Sequence, residues 1–225
     1  MSDLSTVIIT IDGPSGVGKS TISRKVATHY GFTYLDTGAM YRAVAWYLQT
    51  NDLAIDDISA VEAALKQISI ELLPAKNEND DVGVLLNGVN ISSLIRTPDI
   101  SMLASAVSAI PAVRKKLTAM QQQLGKQGKV VAEGRDTGTV VFPAARYKFY
   151  LDASAHARSG RRALQLKKRG EAVDEEKLLE MTITRDRQDS EREIAPLKKA
   201  ENAVLIDTTQ LSIDQVFETI TEMIN

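Results

Sequence analysis

Eight residues near the amino end, Gly13-Pro14-Ser15-Gly16-Val17-Gly18-Lys19-Ser20, have the types and spacing of a phosphate cradle. They follow the pattern G-x-x-x-x-G-K-[ST], and Thr21 stands beside the last hydroxyl. Glycines let the backbone take positive φ and approach phosphate oxygens without a Cβ in the way. Loop amides and the N-terminus of a following helix then aim positive dipoles at a polyphosphate. Lys19 would reach the β- and γ-phosphates, and the Ser20 hydroxyl would help hold Mg²⁺. With average composition, the fixed positions arise by chance in roughly one chain in a hundred of this length. Gly13 to Thr21 is therefore read as a nucleoside triphosphate site. GTPases, motors and small kinases all carry such a loop, so it promises binding and leaves the chemistry open.

Arginines narrow the choice. Arg158, Arg161 and Arg162 fall at i, i+3 and i+4, on one face of an expected helix. Beyond a turn around Gly170, Arg185, Asp189 and Arg192 fall at i, i+4 and i+7. Two arginine-bearing helices joined by a short turn form a plausible lid that excludes water and neutralises charge on a moving phosphoryl group. The plainer alternative is a solvated face laced with ion pairs. Two further segments look like site loops: Asp36-Thr37-Gly38-Ala39-Met40-Tyr41-Arg42 and Glu133-Gly134-Arg135-Asp136-Thr137-Gly138. Helix capping would account for Asp36 and Thr37 but not for Arg42 or Arg135. No guanine-reading N/T-K-x-D segment is present, and Val130-Val131-Ala132-Glu133 is a short, weak version of an ATPase acidic strand. No residue stands out as a general base. A phosphate acceptor fits that, because its oxygen is already an anionic nucleophile and transfer needs positioning above all. The residues thus favour a nucleoside monophosphate kinase, with CMP, UMP and AMP as candidate acceptors, over a nucleotide-dependent switch.

These residues need a scaffold. Val7 to Ile11, Val130 to Ala132, Tyr147 to Leu151 and Val204 to Ile206 are short apolar runs without alternation, and Phe32 to Leu35 is a weaker fifth. That pattern suits strands buried on both faces of a parallel sheet. Helical patterns over Ser20 to Tyr30, Ala39 to Gln49, Ser154 to Arg169 and Glu175 to Asp189 lie between them, and Ser212-Ile213-Asp214-Gln215 is a capping box for a last helix. Ile68 to Leu73, Val82 to Leu86 and Val89 to Ile91 break the rhythm as short strands. Asn87-Gly88 marks a hairpin, and Lys76 to Asp81 a polar turn. Pro98 and Pro111 are expected to punctuate short helices that return to the core. The expectation is one α/β domain with a P-loop kinase fold and a parallel five-stranded sheet flanked by helices. It comprises a core (1–65, 96–150, 203–225), a small antiparallel β insert (66–95) and a helical lid (154–192).

Composition excludes other classes. The 225 residues carry 27 Lys and Arg against 29 Asp and Glu, a formal net charge of -2, so no basic surface calls for nucleic acid or an anionic membrane. Aromatic residues are 5%, too few for a base-stacking platform. The absence of cysteine excludes disulfides and thiol catalysis, and two distant histidines, His29 and His156, argue against a zinc site. No signal peptide or membrane span is evident, so the expected setting is the cytoplasm and the default state a monomer.

The chain resembles the bacterial cytidylate (CMP) kinases. The resemblance rests on Ile11 to Thr21, Asp36 to Arg42, Ser105 to Arg114, Gly134-Arg135-Asp136-Thr137-Gly138-Thr139-Val140-Val141-Phe142-Pro143 and Arg185 to Leu197, and the run ending in Pro143 is the most specific. It implies transfer of the ATP γ-phosphate to CMP or dCMP with Mg²⁺, and the small strand insert resembles the family's enlarged CMP-binding region. Carried over by position, Arg42 and Arg135 would hold the acceptor phosphate. Thr37, Ser105, Arg114, Asp136 and Arg192 would read or surround cytosine, and Arg185 and Asp189 would bind the sugar hydroxyls. Arg158 and Arg162 would be lid arginines, acting on the transferred phosphoryl with Lys19 and Arg135. Two departures are mild: Thr37 stands where some members have Ser, and Ser20 where some have Gly. Ser105 lies in the small-residue run Ala104 to Ala109, which helix packing would equally explain.

Overall fold

A computed structural model describes residues 6–75, 80–168 and 170–224. Most of the expected polar turn, residues 76–79, and the last residue of the helix expected to end at position 169 lie outside them. The described strands are β1 (Ile8–Asp12), β2 (Thr33–Asp36), β3 (Ile70–Leu73), β4 (Gly83–Leu86), β5 (Val89–Asn90), β6 (Val130–Gly134), β7 (Tyr147–Asp152) and β8 (Val204–Asp207). The described helices are α1 (Lys19–Tyr30), α2 (Thr37–Thr50), α3 (Ile58–Gln67), α4 (Pro98–Val107), α5 (Pro111–Gly125), α6 (Ala155–Lys168), α7 (Glu175–Glu191) and α8 (Ile213–Ile224).

Five parallel strands form one sheet in the order β2-β6-β1-β7-β8. Both faces are covered, which is why its strands read as continuous apolar runs. Along β6, Val130 and Ala132 face the core shared with α2, α4 and α5, while Val131 faces the core shared with α1 and α8. A second sheet, β3-β4-β5, is antiparallel. Its hairpin turns at Asn87 and Gly88, with φ of 50° and 80°, the left-handed pair that an Asn-Gly turn supplies.

Three features differ from expectation. Helix α3 was not anticipated, although Asp57 caps it by accepting from the Ala60 amide at 2.9 Å and Val61, Ala64 and Leu65 are buried along it. The helices opened by Pro98 and Pro111 are 10 and 15 residues long rather than short. Proline at the first turn, where its missing N–H costs nothing, starts a helix as readily as it stops one. Finally, Thr137–Val141 forms a single wide turn, in which the Val141 and Phe142 amides donate to the Asp136 and Thr137 carbonyls. The capping box of α8 forms as expected: the Ser212 amide donates to Gln215 Oε1 and the Gln215 amide to Ser212 Oγ.

Candidate active site

Helix α1 begins directly after Gly18, whose φ is 101°, and no side chain caps it. Its first-turn amides therefore remain available to an anion. The loop before it packs on β7: a Cβ on Gly13, at φ 147°, would lie 2.1 Å from the Leu151 carbonyl oxygen. Lys19 is buried and its ammonium donates to the Pro14 carbonyl at 2.7 Å, folding the loop around its own charge. Burial, and then the Arg135 guanidinium, push the Lys19 ammonium down to about 7.

The strand register sets three acids side by side at the carboxyl edge of the sheet. Asp36 lies opposite Glu133, and the next pair along, Asp12 and Gly134, joins β1 to β6. Asp12 accepts from the Thr137 amide at 2.9 Å, the Thr137 hydroxyl at 2.8 Å and the Gly138 amide at 2.7 Å. Burial still outweighs those bonds and raises its pKa. Asp36 caps α2 by accepting from the Ala39 amide at 2.8 Å and also pairs with Arg42 at 2.9 Å. The Arg42 and Arg96 guanidiniums overcome its burial and lower its pKa. Glu133 is fully enclosed; Tyr34 donates to its Oε1, and its Oε2 is buried without a hydrogen-bond partner. Burial and Asp36 raise its pKa, with nearby Lys19 and the Ser20 hydroxyl pulling the other way.

Arginines close over this edge. Arg135 Nε donates to Asp189 Oδ2 at 2.7 Å, and Ser105 Oγ donates to Asp189 Oδ1 at 2.8 Å. Arg185 donates to Ser15 Oγ at 3.1 Å, so α7 touches the phosphate loop directly. Arg158 is buried, donating to the Ser15 carbonyl at 3.0 Å, to the Ala153 carbonyl and to both carboxylate oxygens of Asp186. Burial first, then Arg135 and Arg42, bring Arg185 down to about 10. Lys19, Arg42, Arg135 and Arg185 thus crowd one another electrostatically. Acids are interleaved with them: Asp189 and Glu133 outweigh burial and raise the Arg135 pKa.

Beside this cluster lies a buried polar pocket. Arg114 pairs with Asp136 Oδ2, and Arg192 lies 3.4 Å from Asp136 Oδ1. Ser108 links the two arginines: its hydroxyl accepts from Arg192 at 2.8 Å and its carbonyl from Arg114 at 3.1 Å. The Tyr41 ring stands 5.7 Å from the Arg114 guanidinium, and burial pushes its hydroxyl up to about 12. Desolvation makes such a network selective, because a ligand that leaves one member unpaired is penalised.

Most of the expected residues meet here. Gly13 to Thr21, Arg42, Ser105, Arg114, Arg135, Asp136, Arg158, Arg185, Asp189 and Arg192 all belong to one connected surface at the carboxyl edge. Thr37 and Arg162 make other contacts. Thr37 donates its hydroxyl to the Glu133 carbonyl at 2.6 Å, tying the ends of β2 and β6 together. Arg162, one turn beyond Arg158, turns toward the Ser93–Pro98 segment. Arg161, on the same helix, donates to Thr208 at 3.1 Å. Asp36 accounts for Arg42, which helix capping alone had left unexplained. Asp12, Tyr41, Ser108 and Asp186 were not singled out, although all four lie inside motif segments; Glu133 was underrated as a strand end.

The cytidylate kinase family model matches residues 9–225. A cytidylate kinase of Syntrophotalea carbinolica is 48% identical over 218 residues, covering 97% of this chain and 92% of that protein. One of Carboxydothermus hydrogenoformans is 45% identical over 216 residues, covering 96% of each. Among solved structures, an uncharacterised protein of Eubacterium ventriosum aligns over 97% of this chain and 98% of its own, with TM-score 0.51 and 13% identity, a likeness of fold alone. The specific Gly134 to Pro143 run, the crowded arginines and the match over nearly the whole chain agree, and the chain belongs to the cytidylate kinase family.

Proposed function

We propose that the protein transfers the γ-phosphoryl group of ATP to CMP or dCMP, giving ADP and CDP or dCDP. The observation that carries this reading is the mutual crowding of Lys19, Arg42, Arg135 and Arg185 beside an open helix N-terminus. The ATP polyphosphate and the single phosphate of the acceptor would sit against these cations. The loop amides and Lys19 hold the donor phosphates. Arg42 and Arg135 hold the acceptor phosphate, and Arg185 and Asp189 take the sugar hydroxyls. Arg158, steadied by Asp186, stands between the lid and the loop, and Arg162 swings in from the lid. Asp136, with Arg114, Arg192 and Ser105 around it, reads cytosine: the carboxylate accepts from the 4-amino group and a guanidinium donates to the ring acceptors. Thr37 supports this wall through Glu133.

No general base enters. The acceptor oxygen is already anionic, and the chain aligns it with the γ-phosphorus, excludes water and spreads positive charge around the equatorial oxygens. The residues fit Mg²⁺. An ion held mostly by phosphates and water needs few protein ligands. Ser20 would hold it, and the unpartnered Glu133 Oε2 would face its hydration shell. When bound, the ion neutralises charge between the β- and γ-phosphates. The protein acts as a cytoplasmic monomer in pyrimidine nucleotide metabolism. Coupled ADP-release assays with CMP, dCMP, UMP and AMP test the reading. CMP and dCMP should be the best acceptors; AMP as best acceptor, or no acceptor-stimulated ADP, would overturn it.

A further inference from the structure

Neutral acceptors place Arg192 more firmly than its acid does. Its Nε donates to the Ala195 carbonyl at 2.7 Å and its Nη1 to Ser108 Oγ at 2.8 Å, whereas Nη2 lies 3.4 Å from Asp136 Oδ1. The first two are ordinary hydrogen-bond lengths, and the third is beyond the usual range. The guanidinium is held beside Asp136 rather than closed upon it. Arg114 pairs with the other oxygen, Oδ2. Asp136 Oδ1 is therefore the more loosely engaged of the two carboxylate oxygens.

Ser108 holds that arrangement from the end of α4, where the helical ladder runs out and carbonyls need other donors. The Ala104, Ala106 and Val107 carbonyls accept from the amides of Ser108, Ala109 and Ile110. The Ser105 carbonyl accepts from the buried Ser108 hydroxyl at 2.7 Å. A hydroxyl has a single proton to give. With that proton committed to Ser105, the Ser108 oxygen meets Arg192 as an acceptor only. The Ser108 carbonyl accepts from Arg114 at 3.1 Å, so one residue contacts both guanidiniums that flank Asp136.

We propose that Ser108 is a positioning residue for base recognition: with the Ala195 carbonyl, its hydroxyl holds Arg192 off Asp136 and keeps Oδ1 available to an amino group of the acceptor base. The proposal deepens the CMP reading and rests on it. Without the hydroxyl, a buried guanidinium N–H loses its acceptor. Oδ1 lies 3.4 Å away, and Arg192 closes on it, occupying the lone pair that the cytosine amino group needs. Uracil has no such donor, so its binding suffers less. A role in ending α4 alone would cost stability and leave base preference untouched.

Calorimetry on the full chain, with a non-hydrolysable ATP analogue bound, measures Kd for CMP and UMP. Ser108→Ala should weaken CMP about tenfold, the scale of one lost charge-assisted bond, and UMP by less than about threefold. Affinity for the ATP analogue itself should stay within about twofold of the parent. Ser108→Cys, similar in size but a weak acceptor, should repeat that pattern. Adding Ser108→Ala to Arg192→Ala should change the CMP Kd by less than about twofold, because the hydroxyl acts through Arg192. Melting curves would show that each variant folds. A CMP-over-UMP ratio that survives Ser108→Ala, or losses that simply add to those of Arg192→Ala, would overturn the proposal and leave the CMP reading standing. A parent with no preference for CMP over UMP would overturn that reading, and this proposal with it.

Discussion

Arg135 and Asp189 are joined by a 2.7 Å ion pair that ties the loop after β6 to helix α7. The loop after β6 and helix α7 are thus coupled through one buried carboxylate. Burial alone would raise the Asp189 pKa, but Arg135 and Arg185, with the Ser105 hydroxyl, hold it at about 2 against an ordinary 3.8. A carboxylate so depressed stabilises the fold above its unfolded pKa and loses that contribution as pH falls through the folded value. The window runs from about pH 4 down to about pH 2, and the contribution at neutral pH is about 2 kcal/mol. Urea unfolding of Asp189→Asn against the parent should show that deficit at pH 7 and a smaller one at pH 2. A deficit equal at both pH values would remove the electrostatic explanation.

The Asp136 carboxylate is shared by Arg114 and Arg192. Asp136→Asn keeps an acceptor but leaves two buried guanidiniums facing no charge. kcat/KM for CMP should fall about 10- to 100-fold, the scale of one charge-assisted hydrogen bond. The CMP-over-UMP preference should shrink at the same time, because uracil offers no amino group for the parent carboxylate to accept. Equal losses on CMP and UMP would assign Asp136 a packing role only.

Glu133 raises a different question, since one oxygen is held by Tyr34 and the other is buried without a hydrogen-bond partner beside Lys19. If that oxygen orders the Mg²⁺ hydration shell, Glu133→Gln should raise the Mg²⁺ concentration needed for half-maximal thermal stabilisation by ADP, by about 10-fold. ADP stabilisation without Mg²⁺ should change little. An unchanged Mg²⁺ midpoint in the melting curves would exclude the residue from the metal site.

The parts legible in the sequence were those with a local signature. The phosphate loop shows itself because each glycine answers a backbone need, as Gly13 does against Leu151. Strands buried on both faces show as β-branched runs, and the Asn87-Gly88 turn by its left-handed pair. What stayed hidden depends on contacts distant along the chain. Glu133 looks like any strand end until β6 is placed between β2 and β1, where it gains Asp36 and Lys19 as neighbours. Arg158 and Arg162 share a helical spacing, yet Arg158 is buried against Asp186 of α7 while Arg162 lies by the Ser93–Pro98 segment. Periodicity ranks faces of a helix, but the partner element decides which arginine is buried.

The same reasoning makes Asp12 a positioning residue with a measurable signature. Its carboxylate accepts three hydrogen bonds from Thr137 and Gly138 and so fixes the turn that follows Arg135 and Asp136. Gly138 is confined as well: a Cβ there would lie 2.9 Å from Thr10 Oγ1 and 3.4 Å from Asp12 Oδ2. Asp12→Ala strands two buried amides, each costing about 1–3 kcal/mol. Asp12→Asn would turn an amide N–H₂ toward donors unless it flips, and even then it satisfies fewer than three. Both variants should lose stability, Ala more than Asn. Both should lower kcat at saturating ATP and CMP more than they weaken ATP binding, because the phosphate loop itself keeps its packing on β7. A selective loss of ATP affinity with kcat preserved would show that Asp12 serves the phosphate loop rather than the arginine turn.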